Sequence, residues 1–295
     1  MNNNYKFIFI CIIIAYSIAQ ILLATIERNP TIIRYFSILQ IVFFVIPILY
    51  FIEEKYRIFQ NNYETVVTGK LESEQNYWDT VKENLKINFN FKPEIIVYLL
   101  WGIVGLNLLN MGAMSIIESV IPSELKKIYN SVMRDTMMAQ ISLTKNYSKT
   151  IFEFLQITFF IAIIPAICEE ILFRGYLMQN ILVRNSPRIA IIFSALIFSI
   201  IHFNICGFLP IFFIGLYLGM LVYITNSIIP AMLLHFLNNF LVIISVNFGT
   251  SINYQQSTPI WLAFLLLILG GALILLTYSK LIEICKTTSN KLVKL

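Results

Sequence analysis

Residues 151–174 read IFEFLQITFFIAIIPAICEEILFR. As a helix rising 1.5 Å per residue, this predominantly apolar stretch is about 36 Å long, enough to cross a hydrocarbon core of about 30 Å. Lipid offers nothing for an unpaired N–H or C=O to bond, so a lone apolar segment crosses it as a helix. The same reading predicts spans at 6–26, 32–52, 94–120, 189–206, 207–224, 228–247 and 259–279. The expected fold is all-α, a polytopic transmembrane helical bundle of about eight spans. The fifth and sixth meet near Gly207 and Pro210 with almost no loop.

Composition agrees. The 295-residue chain is 58% hydrophobic and 13% charged, with a mean hydropathy of +0.77, whereas soluble domains carry about 25% charged residues. The lipid bilayer is therefore its solvent and first partner. A net charge of +5 is spread over the connecting segments, which gives no basic face for nucleic acid. Cys11, Cys168, Cys206 and Cys285 form no CxxC pair and lie mostly in apolar surroundings, which predicts neither a disulfide framework nor a zinc knuckle. The run 7–26 lacks a small-x-small cleavage site and is expected to stay as a span.

Two stretches break the apolar pattern: 53–93, with seven of the sixteen acidic residues, and 121–150, with Pro122 at its start. Both are expected to be extramembrane or interfacial connections. No internal repeat is apparent, so 1–295 reads as a single integral membrane domain with its polar core at about 150–245. A cytoplasmic N-terminus places 13 Lys and Arg on that side and 7 on the other. The positive-inside tendency then predicts a multi-pass cell-membrane protein with both termini cytoplasmic.

An ionisable side chain in mid-span costs at least about 2.5–3.5 kcal/mol on insertion scales and is by default a functional hypothesis. Few occur here. The run Pro165-Ala-Ile-Cys-Glu169-Glu170-Ile-Leu-Phe-Arg174-Gly175 places two carboxylates and a guanidinium within about two turns. Glu170 and Arg174 are four apart, on one face, and able to pair; Arg174 reaching for headgroups is the plainer alternative. The chain's only histidines are His202, in Phe198-Ser-Ile-Ile-His202-Phe-Asn204, and His235, in Leu234-His235-Phe-Leu-Asn238-Asn239. A lone membrane histidine is most often a packing group. Two of them in apolar spans, one with Asn239 a turn along, together with a buried Glu pair, argue instead for a site.

Depth supports the grouping. Glu169 and His202 both fall about 21–22 Å from the connection at Arg184 and Arg188, so they can face each other across antiparallel helices. His235 and Asn239 lie about 10–17 Å into their span from its start near Ile228. They join the others if the loop depths differ by a turn or so.

The known intramembrane chemistries can be tested in turn. Aspartyl chemistry needs two membrane Asp, and the only ones, Asp79 and Asp135, lie in polar segments. HExxH zinc chemistry needs Glu beside His on one helix, yet both histidines are followed by Phe. No glycine-framed Ser appears, and Ser199, three residues before His202, is of a type that usually bonds backbone. A carboxylate that activates water remains, with imidazole and amide groups holding the water and the developing oxyanion. Arg174 can keep Glu170 ionised as a structural partner, which leaves Glu169 as the chemically active group. No cofactor is called for. One rival makes Glu169, His202 and His235 zinc ligands. A rival of another class is a non-catalytic immunity or scaffold protein that binds a partner in the same cavity.

Glu169-Glu170-x-x-x-Arg174, Phe198-x-x-x-His202 and His235-x-x-x-Asn239, in that order, resemble the three motifs of the CPBP family, the CAAX-protease and bacteriocin-processing intramembrane glutamic endopeptidases. The resemblance covers about 150–245 and includes Phe-Arg-Gly after the Glu pair and Gly215-x-x-x-Gly219 before Asn226-Ser-Ile-Ile-Pro230. It implies that Glu169 is the general base for water, assisted by His202, and that His235 with Asn239 forms the oxyanion hole. Glu170, Arg174 and Asn238 would support the site, and Phe198 would pack beneath the histidine. The implied partner is a membrane-associated peptide or protein substrate. Phe203 and Asn204 stand where the eukaryotic Ras-converting branch has a further histidine, which weakens the case for prenylated CAAX substrates; the Ile- and Asn-rich composition suggests a low-GC bacterium, where members of the resembled family process peptides or protect against bacteriocins. The Gly215–Gly219 pair itself reads as helix packing.

Overall fold

The computed structural model describes residues 77–89, 91–132, 149–202, 206–248 and 258–292, with Asn204 and parts of 39–56. The span predicted at 6–26, Cys11 and Asp135 lie outside these residues. The described elements are α1 (Tyr77–Leu85), α2 (Ile95–Val120), α3 (Ile151–Leu182), α4 (Pro187–Ile200), α5 (Phe208–Thr225), α6 (Ile229–Phe248) and α7 (Ile260–Leu292). No strand occurs among the described residues. Helices α2, α3, α5 and α6, and α7 over Ile260–Lys286, are long and apolar enough to cross a membrane. Of the stretch predicted at 32–52, the described part is helical and buries Phe44, Ile48 and Ile52 at four-residue spacing.

Two boundaries differ from expectation. Helix α4 has only 14 residues, about 21 Å, and stops short of a full crossing. Its end is fixed by the chain itself: Ser199 Oγ donates to the Phe208 carbonyl (2.5 Å), and Asn204 Oδ1 accepts from Gly207 N (2.8 Å) to start α5. Helix α3 is longer than expected, running to Leu182. A reciprocal capping box opens it, with Glu153 N bonded to Thr150 Oγ1 and Thr150 N to Glu153 Oε2. Two widened π-helical stretches, Thr158–Ile163 and Ile171–Leu177, interrupt it. The first immediately precedes Pro165, whose missing N–H and bulky ring disfavour an ordinary α-turn there. The second contains Arg174.

Small residues set how closely the helices approach. A Cβ on Gly112 would stand 2.6 Å from the Ala263 carbonyl oxygen, and one on Gly270 would stand 2.4 Å from Leu109 N, so α2 and α7 touch backbone to backbone. Gly215 and Gly219 seat α5 against Ala195 and Ile191 of α4, which is the packing role the sequence suggested.

The segment predicted to be extramembrane is tied to the core. Helix α1 buries Val81 and Leu85 and ends in a Schellman motif, with Ile87 N bonded to Lys82 O, Lys86 N bonded to Glu83 O, and Lys86 at φ 58. The chain then clips onto the α5–α6 junction. Ile228 N donates to Lys86 O (3.0 Å), Ser227 Oγ to Asn88 O (2.6 Å), and Asn88 Nδ2 to Asn226 O (2.5 Å). On the other side, Gly175 is so close to Leu85 that a Cβ would lie 3.3 Å from its carbonyl oxygen.

Candidate active site

The segment of α3 between its two π stretches, Ile164–Glu170, carries both carboxylates. Glu169 is 4% exposed, and Glu170 and Arg174 are fully buried. Arg174 Nη1 donates to Glu170 Oε1 at 2.8 Å, and Nη2 donates to the Gly215 carbonyl at 3.1 Å. Its guanidinium lies 4.4 Å from the Phe198 ring centroid, within cation–π range. Gln179 Nε2 donates to the Arg174 carbonyl at 3.0 Å, a group that the π register withdraws from the usual ladder. Arg174 therefore joins α3, α4 and α5, and the headgroup-seeking alternative does not hold. Glu170 Oε2 and Arg174 Nε have no hydrogen-bond partner among the described residues.

His235 reaches this pair from α6. Its Nδ1 is 2.9 Å from Glu170 Oε1 and its Nε2 is 3.8 Å from Glu169 Oε2. His202 sits in the turn just beyond α4, not inside a span. Its Nδ1 is 2.6 Å from the Phe198 carbonyl, and its Nε2 is 3.9 Å from Glu169 Oε2. Phe198 lies between the two imidazoles, edge-on, with centroids at 4.7 Å from His202 and 5.8 Å from His235. His202 is the open side of the cluster, with 27% of its side chain exposed against 5% for His235.

The depth mismatch resolves in the fold. Glu170 is twelve residues before Leu182, and His235 is only six after Ile229. Because the two side chains touch, the α5–α6 junction is set back from the end of α3, and residues 85–88 fill the recess.

The structure thus brings together Glu169, Glu170, Arg174, Phe198, His202 and His235. Asn239 follows His235 by one turn on the same helix face and is half-buried; Asn238 Nδ2 approaches its Oδ1 at 3.5 Å, a weak contact. The amide hydrogens of Asn239 have no partner among the described residues. Asp79 belongs to the surface of α1, where it pairs with Lys82. The Ser199 hydroxyl is taken up by Phe208. Cys168, Cys206 and Cys285 are free thiols. The sequence reading missed two contributors, the Gly215 carbonyl and the clip at 85–88, because backbone groups leave no residue-type signal.

A water hydrogen-bonded at about 2.8 Å to Glu169 Oε2 and either Nε2 fits separations of 3.8–3.9 Å. A tetrahedral zinc with bonds of about 2.0–2.1 Å would hold its ligand atoms about 3.3–3.4 Å apart. Among the described residues no three His, Cys, Asp or Glu converge closely enough to hold a metal ion.

Residues 151–241 match the family model described as Rce1-like, type II CAAX prenyl endopeptidase Rce1-like. That stretch is similar to the CPBP-family core. Five of the described helices are long and apolar enough to cross a membrane, and residues 151–241 are similar to an intramembrane protease family. No curated protein and no solved structure is similar enough to count as a match.

Proposed function

We propose that this protein is an intramembrane endopeptidase that hydrolyses a peptide bond of a membrane-associated protein or peptide by glutamate-activated water. The observation that carries the reading is Glu169 Oε2 standing 3.9 Å and 3.8 Å from Nε2 of His202 and of His235. A water held there has a carboxylate to take its proton and imidazoles to orient it, within a site that protein and lipid close to bulk solvent. His202, on the open side, holds the water where it enters. Asn239, one turn along from His235, supplies a donor for the oxyanion. Glu170, Arg174 and Phe198 form the buried frame.

Processing of a peptide or bacteriocin, or immunity to one, fits a site open to membrane-partitioning chains. The deciding experiment compares membrane peptides from cells carrying wild-type and Glu169→Gln protein. Fragments that disappear with the variant give the substrate, and identical peptide sets would leave the non-catalytic immunity or scaffold reading in its place. Purified protein stripped with chelator keeps its activity on this reading. Loss restored by zinc would move it to a metallopeptidase.

A further inference from the structure

Glu170 Oε1 is already an acceptor, because Arg174 Nη1 donates to it at 2.8 Å. The same Oε1 meets His235 Nδ1 at 2.9 Å, so the hydrogen of that bond belongs to Nδ1. The neutral ring then carries its lone pair at Nε2, the atom 3.8 Å from Glu169. His202 is held in the same tautomer, because its Nδ1 faces the Phe198 carbonyl at 2.6 Å and a carbonyl only accepts. At rest, neither Nε2 has a hydrogen for an oxyanion.

We infer that His235 is the proton donor to the leaving amine and that Glu170 is its positioning residue; this rests on the endopeptidase reading above. As the water oxygen bonds to the scissile carbon, its proton passes to Glu169 and the carbonyl π pair becomes the oxyanion. Glu169 passes that proton to His235 Nε2. The oxyanion collapses, the C–N bond breaks with its electron pair going to nitrogen, and His235 delivers the proton there. Glu169 is again a carboxylate and His235 neutral. His235 is suited to this task and His202 is not. Behind His235 stands a buried carboxylate that stabilises the imidazolium, in the manner of an Asp–His couple, whereas behind His202 stands a neutral carbonyl. Asn239 is then the standing oxyanion donor, and His235 adds to it only while protonated.

Two measurements test this. The chain has two histidines, so ¹⁵N-histidine protein in micelles gives two ring systems, assigned with His202→Gln. Both neutral rings are expected protonated at Nδ1 and bare at Nε2; an Nε2–H tautomer for His235 overturns the inference. The second uses a synthetic internally quenched peptide that the wild-type protein cleaves, and its twin with an ester at the scissile bond. An alkoxide leaves with far less need of a proton than an amine. His235→Gln keeps an N–H donor but no proton carrier, so kcat should fall at least about a hundredfold on the amide and less than about tenfold on the ester. Glu170→Gln should show the same split at about tenfold, in kcat and not in KM. Equal losses on both substrates overturn the inference and make His235 a fixed oxyanion donor. Full activity of Glu169→Gln on both would instead sink the endopeptidase reading.

Discussion

Replacing Arg174 with Ala tests the frame on which every other residue of the site depends. The guanidinium is fully buried and makes two hydrogen bonds, to Glu170 Oε1 and to the Gly215 carbonyl, besides its contact with the Phe198 ring. Its loss leaves Glu170 charged, fully buried and held only by His235 Nδ1. Breaking a buried pair from one side costs about 3–5 kcal/mol, which lowers Tm by on the order of 10 °C. Thiol-reactive dye unfolding of the detergent-purified protein reads this directly, since Cys168 and Cys206 are buried free thiols. The double variant Glu170→Gln, Arg174→Met leaves no unpaired charge and should unfold closer to wild type than Arg174→Ala does. A Tm for Arg174→Ala within about 2 °C of wild type, or a double variant less stable than the single, would refute the pairing.

On a cleaved peptide, Glu169→Gln should lower turnover at least about a hundredfold and Asn239→Ala by a similar factor. The double variant Glu169→Gln, His202→Ala should be little worse than the poorer single, because the residues act as a unit; multiplicative losses would show separate roles. Gly175→Ala puts a methyl 3.2 Å from Leu85 Cδ2 and 3.3 Å from its carbonyl oxygen, so thermal unfolding should show a loss of about 1–3 kcal/mol, and an unchanged Tm would mean that α1 is not docked there. Reporter fusions after Leu295 and within 53–93 should both report cytoplasm, and periplasmic signal from either would overturn the topology.

Crossing helices were legible because lipid leaves one solution for an apolar backbone. Helix ends were less so: α4 stops at Ile200 because Ser199 and Asn204 serve the turn into α5, and apolar residues continue past that point. Glu169, His202 and His235 could be grouped from rarity and depth alone, and the pairing of Glu170 with Arg174 followed from their spacing. The split of Glu170 Oε1 between a guanidinium and an imidazole could not be read, since it depends on a register that two π stretches set within α3. Nor could the clip, which is made largely of main-chain groups.

That clip has a consequence in time. Asn88 is bonded to Asn226 and Ser227, 138 and 139 positions later, and closure over such a distance waits for the far end to be made. At about 5–20 residues per second of synthesis, α1 spends roughly 7–28 s undocked. Throughout that interval the junction that residues 85–88 clip onto, and α6 with His235, do not yet exist. On the proposed reading the site is complete only when α6 arrives, so the upstream part of the nascent polypeptide is inserted before any peptide bond in the membrane is at risk.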